Sequence, residues 1–557
     1  MKKTMSPWKR FIGLLQLDKK DIKQIFYYAI FAGLVALTLP LGIQAIINLI
    51  QGAQVSTSWV ILVILVTLGV AFQGILQLMQ IRILENIQQK IFTRSSFEFA
   101  YRFPKIQMSE LRNYYPPELA NRFFDTLTVQ KGLSKILLDF PAAFLQIIFG
   151  LILLSFYHPF FIIYGLLLVV LIYVVFKYTA RKGLETSLKE SKSKYKVAHW
   201  IQEVARSLIS FKLSGKTQLA MQRNDRLTEE YLTARESHFR VLIMQFIQMI
   251  GFKVLVTAGL LLIGGLLVLN QQMNIGQFVA AEIIIILVIG SVEKLITGLE
   301  SFYDVLTSLE KIGQVVDKEI ESQEGENPFE TDNPLNFELD GVTYTTPENK
   351  NILNEIDLTI ERGDRIVLGG DSGSGKTTLL KVVSGLIVPT SGSIYVNDVS
   401  MKGIMPNKFR AHVGQVIPGQ MPFEGGILEN ITFNDPNIST EQLNEVLKNL
   451  GMLTFIKEQP NGIHTMLTSD GSKLPFTMAR RIILARAIIN KPQLLLLKDP
   501  LEHCDAEDAR KIIDYLCDSK RPWALMVASR NPLWKQHANH IITLKEGNIQ
   551  FKNGNNA

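Results

Sequence analysis

The chain has 557 residues, a net charge of +7 and only two cysteines, Cys504 and Cys517. That length exceeds one ordinary compact domain, and so few cysteines exclude a disulfide framework. Apolar residues make up 47% and charged residues 20%, which points to membrane-embedded material; the basic residues cluster beside long apolar runs, favouring anionic lipid heads over nucleic acid.

Residues 1–24, opening "MKKTMSPWKRFIGLLQLDKK", are basic and amphipathic and lack a small-residue cleavage pattern. They read as an elbow helix at the lipid surface, not as a signal peptide. Next come six apolar runs, each long enough to span a bilayer: Ile25–Ile50, Trp59–Met79, Ile136–Tyr157, Phe160–Phe176, Ile247–Asn270 and Phe278–Leu299. Two of the joins, "QGAQVSTS" and "QQMNIGQ", carry no charge, and "YHP" forms a third. The long joins Gln80–Lys135 and Lys177–Phe246 are rich in Lys and Arg, so they and both termini are expected in the cytoplasm.

Apolar residues recur through the long joins at three- and four-residue spacing, the pattern of helices extending well beyond the bilayer. Their turns are expected at "YYPPELANRF", where Pro116 and Pro117 break the helix, and near "EVARSLISFKLSGK". Pro40 reads as a kink in the first run. Lys253 and Glu282 fall inside the fifth and sixth runs, where a charge is costly and faces either a cavity or a partner. They are candidates for a substrate path, against the plainer reading of an interhelical ion pair. Alternating topology puts them near opposite faces of the membrane, which argues against pairing with each other.

The composition turns acidic and polar over 314–335, the signature of a linker between a six-helix membrane domain, 25–313, and a soluble α/β domain, 336–557. Inside the latter, "IVLGGDSGSGKTTLLKVV" sets an apolar strand, a Gly-rich turn and a helix in succession. Gly370, Asp371, Ser372, Gly373, Ser374, Gly375, Lys376 and Thr377 fit G-x-x-x-x-G-K followed by Ser or Thr, and Thr378 comes next. The glycines let backbone N–H groups converge on phosphates, Lys376 adds a point charge, and Thr377 offers a hydroxyl to Mg²⁺.

This P-loop, with "FEGGILENI", "ARRIILARAI" and "PQLLLLKDP" and the preceding membrane helices, resembles an ATP-binding cassette (ABC) half-transporter of the exporter type. The membrane half looks most like bacterial exporters of peptides and toxins, including haemolysin-type secretion transporters. The resemblance implies a six-helix membrane domain followed by an α/β P-loop nucleotide-binding domain, in the bacterial inner membrane. It also implies ATP with Mg²⁺, a homodimer or a heterodimer with another half-transporter, and a possible periplasmic membrane-fusion adaptor. No peptidase domain is seen before the first membrane helix, so cleavage of a pro-peptide by this chain is not expected.

Against that family pattern several positions depart. Lys498 stands at the Mg²⁺-directing Asp and Asp499 at the catalytic Glu. "LPFTM", Leu474–Met478, replaces the signature, and Pro475 lacks an N–H altogether. Ser529 stands at the switch histidine, Pro418 at the Q-loop glutamine with Gln415 and Gln420 nearby, and Thr346 at the stacking aromatic, for which Tyr344 could stand in. A register slip that made Asp499 the metal-directing acid would turn its side chain to the opposite face. Mg²⁺ binding is therefore in doubt, with Lys498 either pairing with phosphate in place of the metal or snorkelling away to solvent. The expectation is an exporter subunit that binds ATP at a site with degenerate chemistry; the alternative is a regulatory or scaffolding subunit that senses nucleotide and biases a partner.

Overall fold

The computed structural model describes residues 5–52, 57–329, 335–471 and 473–554, and the chain divides into two compact units. One is Met1–Ile106 with Leu111–Glu319, the other Gln107–Glu110 with Ile320–Ala557.

The first unit is helical. A short helix, Pro7–Leu17, has Pro7 in its first turn and the Ser6 hydroxyl accepting from the Lys9 amide. The first apolar run is not one helix: it breaks into Lys19–Ala36 and Thr38–Gln51. Pro40 is the cause, because it has no N–H to return to Ala36 and its ring crowds that carbonyl. The uncharged join after it includes 53–56, which lie outside the described residues. Helices Thr57–Arg102 and Asp125–Ser155 flank the first long join, with Pro116–Ala120 at its turn. Phe160–Arg206 and Leu219–Leu269 flank the second, and Ile275–Val316 closes the unit. At 46 residues, Thr57–Arg102 is roughly 70 Å long, more than twice a bilayer core.

Among the described residues five helical stretches are long and apolar enough to cross a membrane, and Phe160–Tyr173 is a shorter apolar stretch heading the sixth helix. Their outer faces expose residues such as Ile64, Leu68 and Leu262, while Leu154, Phe161, Ile284 and Val288 are buried between helices. An apolar exterior is stable only in lipid.

The second unit carries a four-stranded sheet and a six-stranded sheet. In the larger sheet the spatial order is Asn548–Gly554, His540–Lys545, Arg365–Gly369, Ala524–Ala528, Leu494–Lys498, Val413–Val416. All pairs are parallel except the first. Strand Leu494–Lys498 is buried on both faces, as a central parallel strand must be. Leu494 and Leu496 pack with Leu379 and Leu380 of the helix Lys376–Val383, and Leu495 and Leu497 pack into a separate core with Ile482 and Ile483.

The segment 314–335 is only partly a linker. The membrane helix continues to Val316, and part of the chain beyond it is strapped to the nucleotide unit. Glu321 forms a two-pronged ion pair with Arg410 at 2.6 and 2.8 Å, and Phe329 packs against Phe409 and His412. Residues 330–334 lie outside the described residues.

Candidate functional site

The site is built where the central parallel strands end, the usual ligand position in such sheets. Strand Arg365–Gly369 runs into the loop and then into helix Lys376–Val383. Gly370, Gly373 and Gly375 take φ of +121°, +85° and +104°, values that favour glycine. A Cβ on Gly370 would overlap the Leu544 carbonyl, and one on Gly375 would lie 2.8 Å from the Ile352 carbonyl oxygen. The loop is thus a cradle that only glycine can form. Across it the Lys376 ammonium donates to the Gly370 and Asp371 carbonyls at 2.7 and 2.6 Å and to Ser374 Oγ at 3.0 Å. Burial pushes the Lys376 amine below the ordinary lysine range, and the positive charge of Lys498 adds to the push.

Lys498 is on the phosphate side. Strand alternation puts it on the same face as Leu494 and Leu496, toward the P-loop helix. Its side chain is 19% exposed and forms an ion pair with Asp499, so the solvent-snorkelling alternative is not the conformation adopted. Asp499 sits in the left-handed region at φ +43°, its amide donating to the Ala528 carbonyl at 3.0 Å. The one carboxylate at the end of this strand is held by its neighbour's ammonium.

A cleft of about 560 Å³ opens over the loop, lined by P-loop residues including Thr377 and Thr378, by Lys498 and by Ser529. Three cations join them that the sequence did not single out: Lys350, Arg530 and Lys535. With Lys376 and Lys498 they make five cationic side chains, and no carboxylate lines the cleft among the described residues. Arg530 follows Ser529 directly, so the pattern that located Ser529 could have found it. Lys350 comes from another loop and Lys535 from the short helix Leu533–Gln536, and neither carries a local signal.

Of the other predicted positions only Ser529 lines the cleft. Tyr344 is 7% exposed and packed in the core with Leu353, so it offers no free ring face for a base. Gln415 lies in strand Val413–Val416, and Gln420 accepts from the Ile417 amide at 3.0 Å. The Ser529 hydroxyl accepts from the Asn531 amide at 3.2 Å. In "LPFTM", Pro475 is the N-cap of helix Phe476–Ile488 without a side-chain bond, and Phe476 is exposed beside His503 and Arg480.

The cradle fits a polyphosphate. The donor set fits a divalent ion poorly: Thr377 keeps its hydroxyl, but an ammonium occupies the acid's position and Asp499 is tied to it. Among the described residues no group of three His, Cys, Asp or Glu could hold a metal.

In the membrane unit Lys253 pairs at 2.6 Å with Glu293, a partner not anticipated, and not with Glu282. Helices Leu219–Leu269 and Ile275–Val316 supply the two ends, which is the interhelical ion pair.

Membrane-length helices followed by a P-loop α/β unit define a membrane protein that carries a nucleotide-binding type of domain. Residues 24–292 match the ABC transporter transmembrane region and residues 353–502 the ABC transporter domain, and the chain belongs to the ABC exporters. It is 29% identical over 306 residues to the alpha-hemolysin translocation ATP-binding protein HlyB of Escherichia coli O157:H7, a match covering 55% of this chain and 43% of that one. It is 27% identical to the leukotoxin translocation ATP-binding protein LktB of Mannheimia haemolytica, over 62% of this chain and 49% of that one. The chain thus spans less than half the length of these toxin translocators in the matched region. A putative export ATP-binding/permease protein of Rickettsia bellii is 23% identical over 84% of this chain and 82% of its own. In fold the chain is similar to a bacterial Atm1-family ABC exporter solved with ATP bound, with a TM-score of 0.83, 16% identity and coverage of 96% and 95%.

Proposed function

We propose that this chain is one half of an exporter in the bacterial inner membrane, multi-pass with both termini cytoplasmic, that couples ATP binding to movement of a peptide or polypeptide. Its membrane domain is 25–313 and its nucleotide domain 336–557. The toxin-translocating relatives support the substrate class, and a periplasmic adaptor would be a natural partner for such a role. Its own site binds ATP but hydrolyses it slowly or not at all. The observation that carries this reading is the Lys498–Asp499 ion pair at the end of the phosphate-facing strand. Among the described residues, the acid that ends this strand, Asp499, is short and already engaged.

Loss of the signature favours a second reading, a non-hydrolysing regulatory subunit. Pro475 lacks the N–H, and Phe476 the smallness, that approach to a facing γ-phosphate needs.

ATPase activity of the purified chain in lipid tests the proposal, with Lys376→Ala as the background. Turnover is expected at least about 100-fold below the roughly 10 per second typical of enzymes. Turnover of several per second, abolished by Lys376→Ala, would overturn it.

A further inference from the structure

The poor fit between the donor set and a divalent ion has a constructive side. We infer that this cleft takes ATP as the metal-free tetra-anion, with the Lys498 ammonium in the place of Mg²⁺ and Lys350, Arg530 and Lys535 adding to its counter-charge. This rests on the reading that the chain binds ATP.

Three independent features of the site converge on it. Strand register sets Lys498 on the phosphate face at the end of the central strand, and its partial burial keeps it at the cleft. The charged side chains of the lining, Lys350, Lys376, Lys498, Arg530 and Lys535, are all cationic, and among the described residues no carboxylate lines it. The nearest acid on that strand, Asp499, is spent on Lys498 and sits in a left-handed turn. A divalent cation entering this cleft would meet five cationic side chains, with Asp371 and the already paired Asp499 as the acids close enough to act on Lys376. Free ATP carries about four negative charges and its Mg²⁺ complex about two, so a field of this sign prefers the uncomplexed form. Arg530 is suited to grip a terminal phosphate because its planar fork can donate two parallel hydrogen bonds.

Isothermal titration of the purified full chain with ATP, once in EDTA and once in excess Mg²⁺, tests this. The expected result is binding in EDTA as tight as in Mg²⁺ or up to about tenfold tighter. Lys498→Met should weaken EDTA binding by about tenfold or more, at the scale of one charge-assisted contact. Lys498→Asp should invert the preference so that Mg²⁺ tightens binding. Arg530→Gln, a change at the cleft surface, should weaken EDTA binding without inverting the preference. Wild-type affinity that drops tenfold on chelation overturns the inference and leaves ATP binding intact. Absence of binding in both conditions, in a chain folded by circular dichroism, overturns the ATP reading and this inference with it.

Discussion

The catalytic silence proposed for this site can be probed by restoring its parts in order. Asp499→Glu alone adds the missing methylene, and in a site that lacked only reach it would recover about 100-fold, the cost of a 1 Å misplacement. Here it should recover almost nothing. Lys498 holds the carboxylate in a partly buried pair, with side-chain exposures of 19% and 29%. A charge-assisted hydrogen bond of that kind contributes about 1.5–3 kcal/mol, leaving the acid free only about 1–10% of the time. Lys498→Asp with Asp499→Glu removes the captor and extends the acid, so turnover in Mg²⁺ should rise at least about 100-fold over the wild-type chain. Adding Ser529→His should contribute roughly another 10²–10³, the usual weight of one transition-state donor. Phosphate release measured in lipid, with Lys376→Ala in every background, reads each step. If Asp499→Glu alone matched the double variant, Lys498 would not be holding the acid and the reasoning would fail.

ATP affinity should also depend on pH through Lys376. Its ammonium is the binding form, and its folded-state pKa lies below the ordinary 10.5, so affinity should decline at a lower pH than free lysine titrates; Lys498→Met should move that decline upward. In the absence of ligand the sign reverses: the charged amine's penalty on stability is fully present below the lowered pKa and is relieved as pH climbs toward 10.5, which thermal unfolding across that range would show. Glu321→Gln strands Arg410 in a site where both side chains are under 20% exposed, and should cost about 3–5 kcal/mol, read as a lower unfolding temperature and faster proteolysis between the membrane and nucleotide units. Lys253→Met and Glu293→Gln should each destabilise the chain in lipid by about 1–3 kcal/mol, while the double variant loses less than the sum; strict additivity would count against the ion pair.

The P-loop is legible in the sequence because its information is local: glycines at fixed offsets, then Lys376 and Thr377, between an apolar strand and a helix. Lys498 is legible for a related reason, since period-two alternation ties its face to that of Leu494 and Leu496. The counter-charge around them is not. Lys350 reaches the cleft from a loop and Lys535 from the helix Leu533–Gln536, far apart in sequence, and only the folded sheet brings them together. Tyr344 misleads because counting back from the P-loop ignores the strand's own register. A bulge between Leu339 and Val342, at Gly341 with φ +55°, shifts the alternation, so Val342 and Tyr344 both turn inward. Composition also misreads part of 314–335: it implies solvated acids, whereas Glu321 finds Arg410 and Phe329 finds an aromatic neighbour. In the membrane, charge cost correctly demands a partner for Lys253 and topology correctly argues against Glu282, but the partner itself, Glu293, is visible only once the two helices are packed.

A cassette that binds ATP without cleaving it has a thermodynamic consequence for the exporter it belongs to. Binding energy alone can bias a two-state protein toward its closed form, by no more than the difference in affinity between the two states. Returning to the open form then requires the same ATP to leave, and a cycle closed by binding and release alone does no net work. Two such chains paired together could therefore let a substrate move downhill but could not drive it uphill. Pairing with a second half-transporter changes this. Cleavage at a site that uses the partner's P-loop, water-orienting acid and histidine would reset the clamp, even with the altered Leu474–Met478 segment opposite it. On the proposed reading the ion pair at Lys498 and Asp499 thus bears on more than one nucleotide pocket: it leaves this chain the grip, and it requires either a partner to supply the turnover or a role in which none is needed.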